Sequence, residues 1–283
     1  MTSEGNQTER ELDWERDPSD ALTARTAARG LLVQIHVINA LILRETRTRF
    51  GQSQLGYLWA LIEPMLWIGT MAGMYALGGS TGRTGMTMVG FIGTGIVTYE
   101  LFRNCQSRVL VAVSSNMPLL FYPQVQPVDM MLSRVLLEYA TWFSVFTVIL
   151  GGEALLRGEF TVDDPLLVMN GLLLAGALGG SLGSVLCSLS AYSASIDRIA
   201  NAALRPLMFA SGTFFAFEDV PQQVAAYLVY NPVLHVVEAV RDGWYPSYTA
   251  TRTTPWYPLA WTIGLAFLAL ALERVVRPKL QVT

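Results

Sequence analysis

ALILRETRTRFGQSQLGYLWALIEP, residues 40–64, joins a charged amphipathic segment to a long apolar one, and that junction decides the fold. Upstream, Leu31, Leu32, Ile35, Ile38, Ala40, Leu41, Ile42 and Phe50 share one broad side of a helix over residues 31–50, while Arg44, Glu45, Arg47 and Arg49 charge its far end. That is the pattern of a helix lying in a bilayer interface. Gly51 and Gly56 let the chain turn, and Tyr57 and Trp59 fall where aromatic rings prefer the headgroup level. From Leu58 to Leu77 the chain is almost wholly apolar, long enough at about 1.5 Å per residue to cross a hydrocarbon core of about 30 Å. A first span therefore follows an interfacial helix directly.

Composition agrees. Of the 283 residues 52% are hydrophobic and only 14% charged, with several apolar runs approaching the length of a span. Seven acidic residues between Glu4 and Asp20 give residues 1–30 an acidic head with no apolar core, expected to be disordered and not a cleaved signal peptide. The net charge is −3, and no nucleic acid is expected as a partner. Cys105 and Cys187 fall in or beside apolar runs and read as packing residues. Lys279 is the sole lysine of the sequence, so the Gly-x-x-x-x-Gly-Lys phosphate loop needed for ATP hydrolysis by that route is absent. His36 and His235 form neither a metal-ligand spacing nor a nucleophile and base pair, and no metal is expected.

Six spans can be read: residues 58–77, 86–102 with a helical continuation toward Val113, 135–150, 166–189, 199–217 and 256–272. With the N-terminus in the cytoplasm, 15 of the 19 Lys and Arg residues fall on the cytoplasmic side and four, Arg83, Arg157, Arg241 and Arg252, on the other. This positive-inside bias places both termini in the cytoplasm. Between the fifth and sixth spans, Val220–Tyr230 and Val233–Val240 are each too short to cross and are joined by Asn231-Pro232. They read as a re-entrant pair beside a lined conduit, or as two helices flat on the outer surface. Gly176, Gly179, Gly180 and Gly183 repeat at the spacing that lets helix backbones approach, read as packing within the chain.

Charges inside spans are informative because each costs about 2.5 to 3.5 kcal/mol at a helix centre. Glu100 has Arg103 at helical spacing, and Glu138 has Arg134 one turn before and Trp142 one turn after, so both carboxylates read as paired at the cytoplasmic edge. Glu63, beside Pro64 and on one face with Trp59 and Trp67, has no local partner. It belongs either to a conduit or to a tie between the interfacial helix and the first span.

The 40–64 run, together with YELFRNCQSRVLVAVSSNMPLLFYPQVQPVDMMLSRVLLE at residues 99–138, resembles the inner-membrane permeases of capsular-polysaccharide ABC exporters of the ABC-2 type, the KpsM-like family. The resemblance extends over most of the chain from Leu31 onward. It implies an all-α polytopic membrane domain over residues 31–283 in the bacterial inner membrane, with re-entrant helices between spans five and six. It implies a lipid-linked acidic polysaccharide as cargo, a separate ABC ATPase subunit that binds the ATP and Mg, and a periplasmic adaptor protein. Export of O-antigen or teichoic acid by a related permease is the near alternative. Six spans make half a transporter, so a second copy is expected to complete the path. On this reading Arg44, Arg47 and Arg49 attract the anionic head of the cargo or of membrane lipids, and Trp59, Glu63, Trp67, Trp142, Phe209, Phe214 and Phe215 are the candidate channel residues. The loop NMPLLFYPQVQP, residues 116–127, is unusually apolar for an aqueous loop, which marks a contact. The family places its coupling element here. Met117, Leu119, Leu120, Phe121, Tyr122, Pro123, Gln124 and Val125 are therefore the expected ATPase contact, unless the loop folds back under its own spans.

A different class, an integral-membrane glycosyltransferase or acyltransferase, needs a cluster of His and Asp or paired carboxylates at the membrane surface. Asp163-Asp164 is the nearest candidate, and it reads as a solvated turn before Pro165.

Overall fold

The computed structural model describes residues 18–50, 54–78, 85–122, 124–158, 162–193 and 195–280, and every regular element among them is helical. Helix α1 runs over Pro18–Phe50, α2 over Gln54–Leu77 and α3 over Met88–Leu110. A 3-10 segment, Ser114–Phe121, leads into α4 at Pro127–Phe146, which passes through a π turn into the short α5 at Gly152–Arg157. Then follow α6 (Pro165–Ser190), α7 (Ser195–Leu204), α8 (Gln222–Leu228), α9 (Pro232–Trp244) and α10 (Trp256–Leu280). Three stretches, Pro127–Leu156, Pro165–Ser190 and Trp256–Val276, are long and apolar enough to cross a membrane, and Leu61–Leu77 is a shorter apolar stretch.

Several expected boundaries move. Residues 18–30, expected to be disordered, already belong to α1, because ALTARTAARGLL is dominated by strong helix formers behind a proline at the first helical position. Residues 1–17 of the acidic head lie outside the described residues. The third apolar helix starts eight residues earlier than read, at Pro127, where Asp129 accepts from the Gln126 amide at 3.0 Å. The larger correction is the fifth span. Residues 199–217 are not one helix: α7 stops at Leu204, Pro206–Ala210 is 3-10, and the chain turns through Gly212 at φ +71°. Pro206 lacks an N–H for the carbonyl four residues back and clashes with it, so the apolar composition does not carry the helix through.

At the centre stands α3. It packs along α6 and also meets α4, α9 and α2, while α10 covers another side of α6. Their shared core includes Ile92, Val97, Phe102, Val145, Leu150, Leu172, Leu178, Val237 and Val240. The glycines of α6 make this approach possible. A Cβ on Gly183 would stand 2.6 Å from the Gln106 carbonyl oxygen of α3, and one on Gly179 would run into the Phe102 carbonyl. Gly176 and Gly180 instead face Tyr139 and Val135 of α4, so the expectation of packing within the chain holds for all four. Gly179→Ala should therefore push α3 and α6 apart and destabilise by about 1 to 3 kcal/mol. Thermal unfolding in detergent reads this out, with Gly264→Ala, which meets nothing within 4 Å, as the neutral comparison.

Helix α9 is buried on most faces against α3 and α6, and Val240 meets α6 at Gly171, six residues from its Pro165 end. It does not lie flat on the bundle's surface. The α8 side chains Val224 and Tyr227 are exposed. His235 of α9 is a packed residue: Thr254 donates its amide to Nδ1 at 3.1 Å, which leaves the proton on Nε2 for the Val229 carbonyl at 2.7 Å. Cys105 and Cys187 are free and buried.

Candidate functional site

A cavity of about 430 Å³ opens between α2, α3, α4 and the chain after α7. From α2 come Glu63, Pro64 and Trp67, with Glu63 one helical turn before Trp67 on the same face. A stripe of α3 supplies Ile96, Tyr99, Glu100, Arg103, Asn104 and Arg108, and α4 supplies Thr141 and Trp142. Arg205, Met208 and Phe209 close it from the broken stretch around Pro206. Of the expected channel residues, the structure thus gathers Glu63, Trp67, Trp142 and Phe209 around one space.

The others sit elsewhere. Trp59 is exposed one turn before Glu63 and does not line the cavity. Phe214 packs behind Phe209, with ring centroids 5.5 Å apart, and Phe215 packs on the small cluster of Phe217, Ala225 and Leu234. Arg44 and Arg47 line a separate shallow depression on α1 with Ala40, Leu43 and Thr48, and Arg44 also donates to Asn116 Oδ1 at 2.7 Å. The Arg49 side chain lies outside the described residues.

The cavity's charges are partly matched. Glu100 accepts from Arg103 at 3.1 Å and from Asn104 at 2.9 Å, the pairing its spacing suggested. Glu138 pairs across helices with Arg108 at 3.9 Å rather than with Arg134 on its own helix. Arg134 instead reaches Glu45 of α1 at 3.3 Å, the Arg108 carbonyl and the Ser115 hydroxyl, both at 2.7 Å. Sequence reasoning missed Arg103, Arg108 and Arg205 as cavity residues. The signals were there in the helical spacing of 96, 99, 100 and 103 and in an arginine placed directly before a helix-stopping proline.

The roof over Phe209 is non-helical backbone hung from side chains. Tyr75 of α2 donates to the Phe214 carbonyl at 2.9 Å, and Arg241 of α9 donates to the Gly212 carbonyl at 2.9 Å and the Phe215 carbonyl at 3.3 Å. Arg241 is fully buried, pairs with the fully buried Glu238 at 2.6 Å and lies 4.0 Å from the Phe91 ring centroid. Tyr248 donates to the other Glu238 oxygen. Arg241, counted by sequence on the non-cytoplasmic side, is thus a buried charge.

At the other end of α3, the 114–125 stretch has two sides. Leu119, Leu120 and Val125 turn inward, onto the cluster of Val109, Ala112, Val113, Met130, Met131 and Cys187. Met117, Phe121 and Tyr122 turn outward, Phe121 at 88% and Tyr122 at 63% exposure. Gln124 is exposed as well, and Pro123 lies outside the described residues. The expected contact surface is thus half interior packing, and its free apolar edge is Met117, Phe121 and Tyr122. Helix α1 is tied to this end by Gln34 to Asp129 at 2.9 Å, Arg44 to Asn116 and Glu45 to Arg134. Asp164, the alternative catalytic carboxylate, caps α6 by accepting the Leu166 and Leu167 amides at 2.9 and 3.0 Å.

Three helical stretches of spanning length, one of which lines a mixed polar and aromatic cavity, together with an exposed apolar edge on a loop, are the features of a helical membrane protein. The family profile of the ABC-2 type transporter matches residues 36–245, and the chain belongs to that family. It is 30% identical over 250 residues to the polysialic acid transport protein KpsM of Escherichia coli, covering 88% of this chain and 96% of that one. It is likewise 30% identical over 245 residues to the capsule polysaccharide export inner-membrane protein CtrC of Neisseria meningitidis serogroup B, covering 86% and 92%. With the capsule polysaccharide export inner-membrane protein BexB of Haemophilus influenzae the identity is 25% over 250 residues, 88% and 94% of the two chains.

Proposed function

We propose that this chain is the permease subunit of an ABC exporter that carries a lipid-linked acidic capsular polysaccharide across the bacterial inner membrane. The observation that carries the reading is the cavity itself. Glu63 is exposed in the middle of an apolar helix, beside exposed Leu66, Trp67 and Met74. A carboxylate facing lipid there costs about 2.5 to 3.5 kcal/mol, whereas one facing a water-filled path does not. A second copy placed across a two-fold axis covers this side of α2 and turns the open cavity into half of a conduit.

The remaining parts take their places around that path. Six crossings, the fifth broken at Pro206, put both termini in the cytoplasm, as the charge bias of the sequence supports. Helices α8 and α9 form the re-entrant pair, a reading supported by the burial of α9 near the Pro165 end of α6. Helix α1 lies along the cytoplasmic interface, and the ATPase, which supplies ATP and Mg chemistry, docks on Met117, Phe121 and Tyr122. A periplasmic adaptor meets the outer face. Arg44 and Arg47 face the cytoplasmic leaflet, where anionic headgroups gather.

Deleting the chain from its own cell should abolish surface polymer while polymer accumulates inside. Restoring it with its ATPase should return ATP-dependent export. Sugar transfer onto a lipid acceptor by the isolated chain, with no ATP-dependent export by the pair, overturns the proposal.

A further inference from the structure

Resting on the permease reading, we infer that Arg205 is the residue that selects an anionic cargo: it holds one oxyanion of the cargo, a sugar carboxylate or a lipid-end phosphate, in the cavity between α2, α3 and α4. Three guanidinium groups line that space, and they differ in state. Arg103 is engaged by Glu100 at 3.1 Å and Arg108 by Glu138 at 3.9 Å. Arg205 has no ion-pair partner among the described residues and is exposed to the cavity it lines. Its backbone is fixed, because Tyr99 of α3 donates to the Leu204 carbonyl at 2.7 Å where Pro206 stops α7. An unpaired guanidinium on a held backbone offers a planar fork of donors to a carboxylate or phosphate.

Charge and shape narrow the ligand. With Arg103 matched by Glu100 and Arg108 by Glu138, Arg205 is the lining guanidinium left, among the described residues, to meet one anionic group. Trp67 and Phe209 line the same space with exposed rings, flat apolar surfaces of the kind on which a pyranose face packs. Both features favour a sugar ring bearing one carboxylate, while an anionic lipid headgroup shares the oxyanion chemistry without the ring.

The test measures binding to the permease purified with its ATPase in nanodiscs of neutral lipid. The probes are a uronic-acid oligosaccharide, the same oligosaccharide with its carboxyls reduced to alcohols, and phosphatidylglycerol. Arg205→Gln should weaken the acidic oligosaccharide roughly ten- to a hundredfold, as loss of a charged hydrogen bond does, and leave the reduced one unchanged. Arg205→Lys should recover part of the loss. If phosphatidylglycerol alone weakens, the oxyanion site stands and its occupant is the lipid end. Equal affinity of wild type and Arg205→Gln for both anionic probes overturns the site. ATP-dependent export by the wild-type pair, measured alongside, separates that outcome from failure of the permease reading.

Discussion

Arg241→Ala is expected to cost about 3 to 5 kcal/mol of stability, because it strips the partner from a carboxylate that has no access to water. Glu238 and Arg241 are both fully buried, and they are held at 2.6 Å within α9. Removing the guanidinium also orphans the Gly212 and Phe215 carbonyls, which belong to backbone that no helix satisfies. In a membrane-embedded segment each such group is expensive, since lipid offers no replacement donor. The measurement is thermal unfolding in detergent, together with the yield of folded protein in the membrane fraction.

The same contacts separate a packing role from a gating one. The stretch Gly212–Phe215 roofs the cavity through the Phe209 and Phe214 pair, and it is tied to α2 by Tyr75 and to α9 by Arg241. Replacing both charges, as in Arg241→Met with Glu238→Leu, removes the stranded carboxylate and should regain most of the lost stability. It does not regain the hydrogen bonds to the roof. The double variant is therefore expected to fold and yet to export poorly or leak small solutes. Full stability with normal export would mean that the clamp is dispensable.

How much of this was legible in the sequence depended on the range of the physics involved. Helices α6 and α10 came through because an uninterrupted apolar run of spanning length has few other solutions in a membrane. The Glu63 and Trp67 pair was visible for the same local reason, a one-turn spacing on one face. The fifth span failed where two local signals competed: residues 199–217 are apolar enough to cross, but Pro206 and Gly212 break them. The burial of Arg241 went unread for a different reason. Its spacing to Glu238 was readable, yet the groups that bury it, the Phe91 and Gly212 carbonyls, lie 150 and 29 positions away. Arg205 was missed likewise, because the cavity it lines is assembled from residues 63–67, 96–108 and 141–142, far from it in sequence.

Phe121→Ala with Tyr122→Ala is expected to weaken the hold of the ATPase by about 2 to 4 kcal/mol, the range for paired aromatic anchors at an interface, while leaving the permease folded. The structure sharpens which side chains are used. Leu119, Leu120 and Val125 already pack on the core beneath, so truncating them would disturb the fold itself and say nothing about a partner. Phe121, at 88% exposure, and Tyr122, at 63%, contribute little within the chain and stand free for a partner. A contact there has a route inward. The segment leads into α4 through the Gln126 and Asp129 cap, and α1 holds both ends through Gln34 to Asp129 and Arg44 to Asn116, so a push on the loop moves α1 and α4 together. Co-purification with the ATPase from detergent should fall sharply in the double variant, and ATP-dependent export should fall with it, with membrane insertion and unfolding temperature unchanged. Met117→Ala alone, at the same free edge, should give a smaller loss in the same direction. If the Phe121 and Tyr122 variant co-purifies and exports as the wild type does, the proposed docking of the ATPase on this loop is overturned.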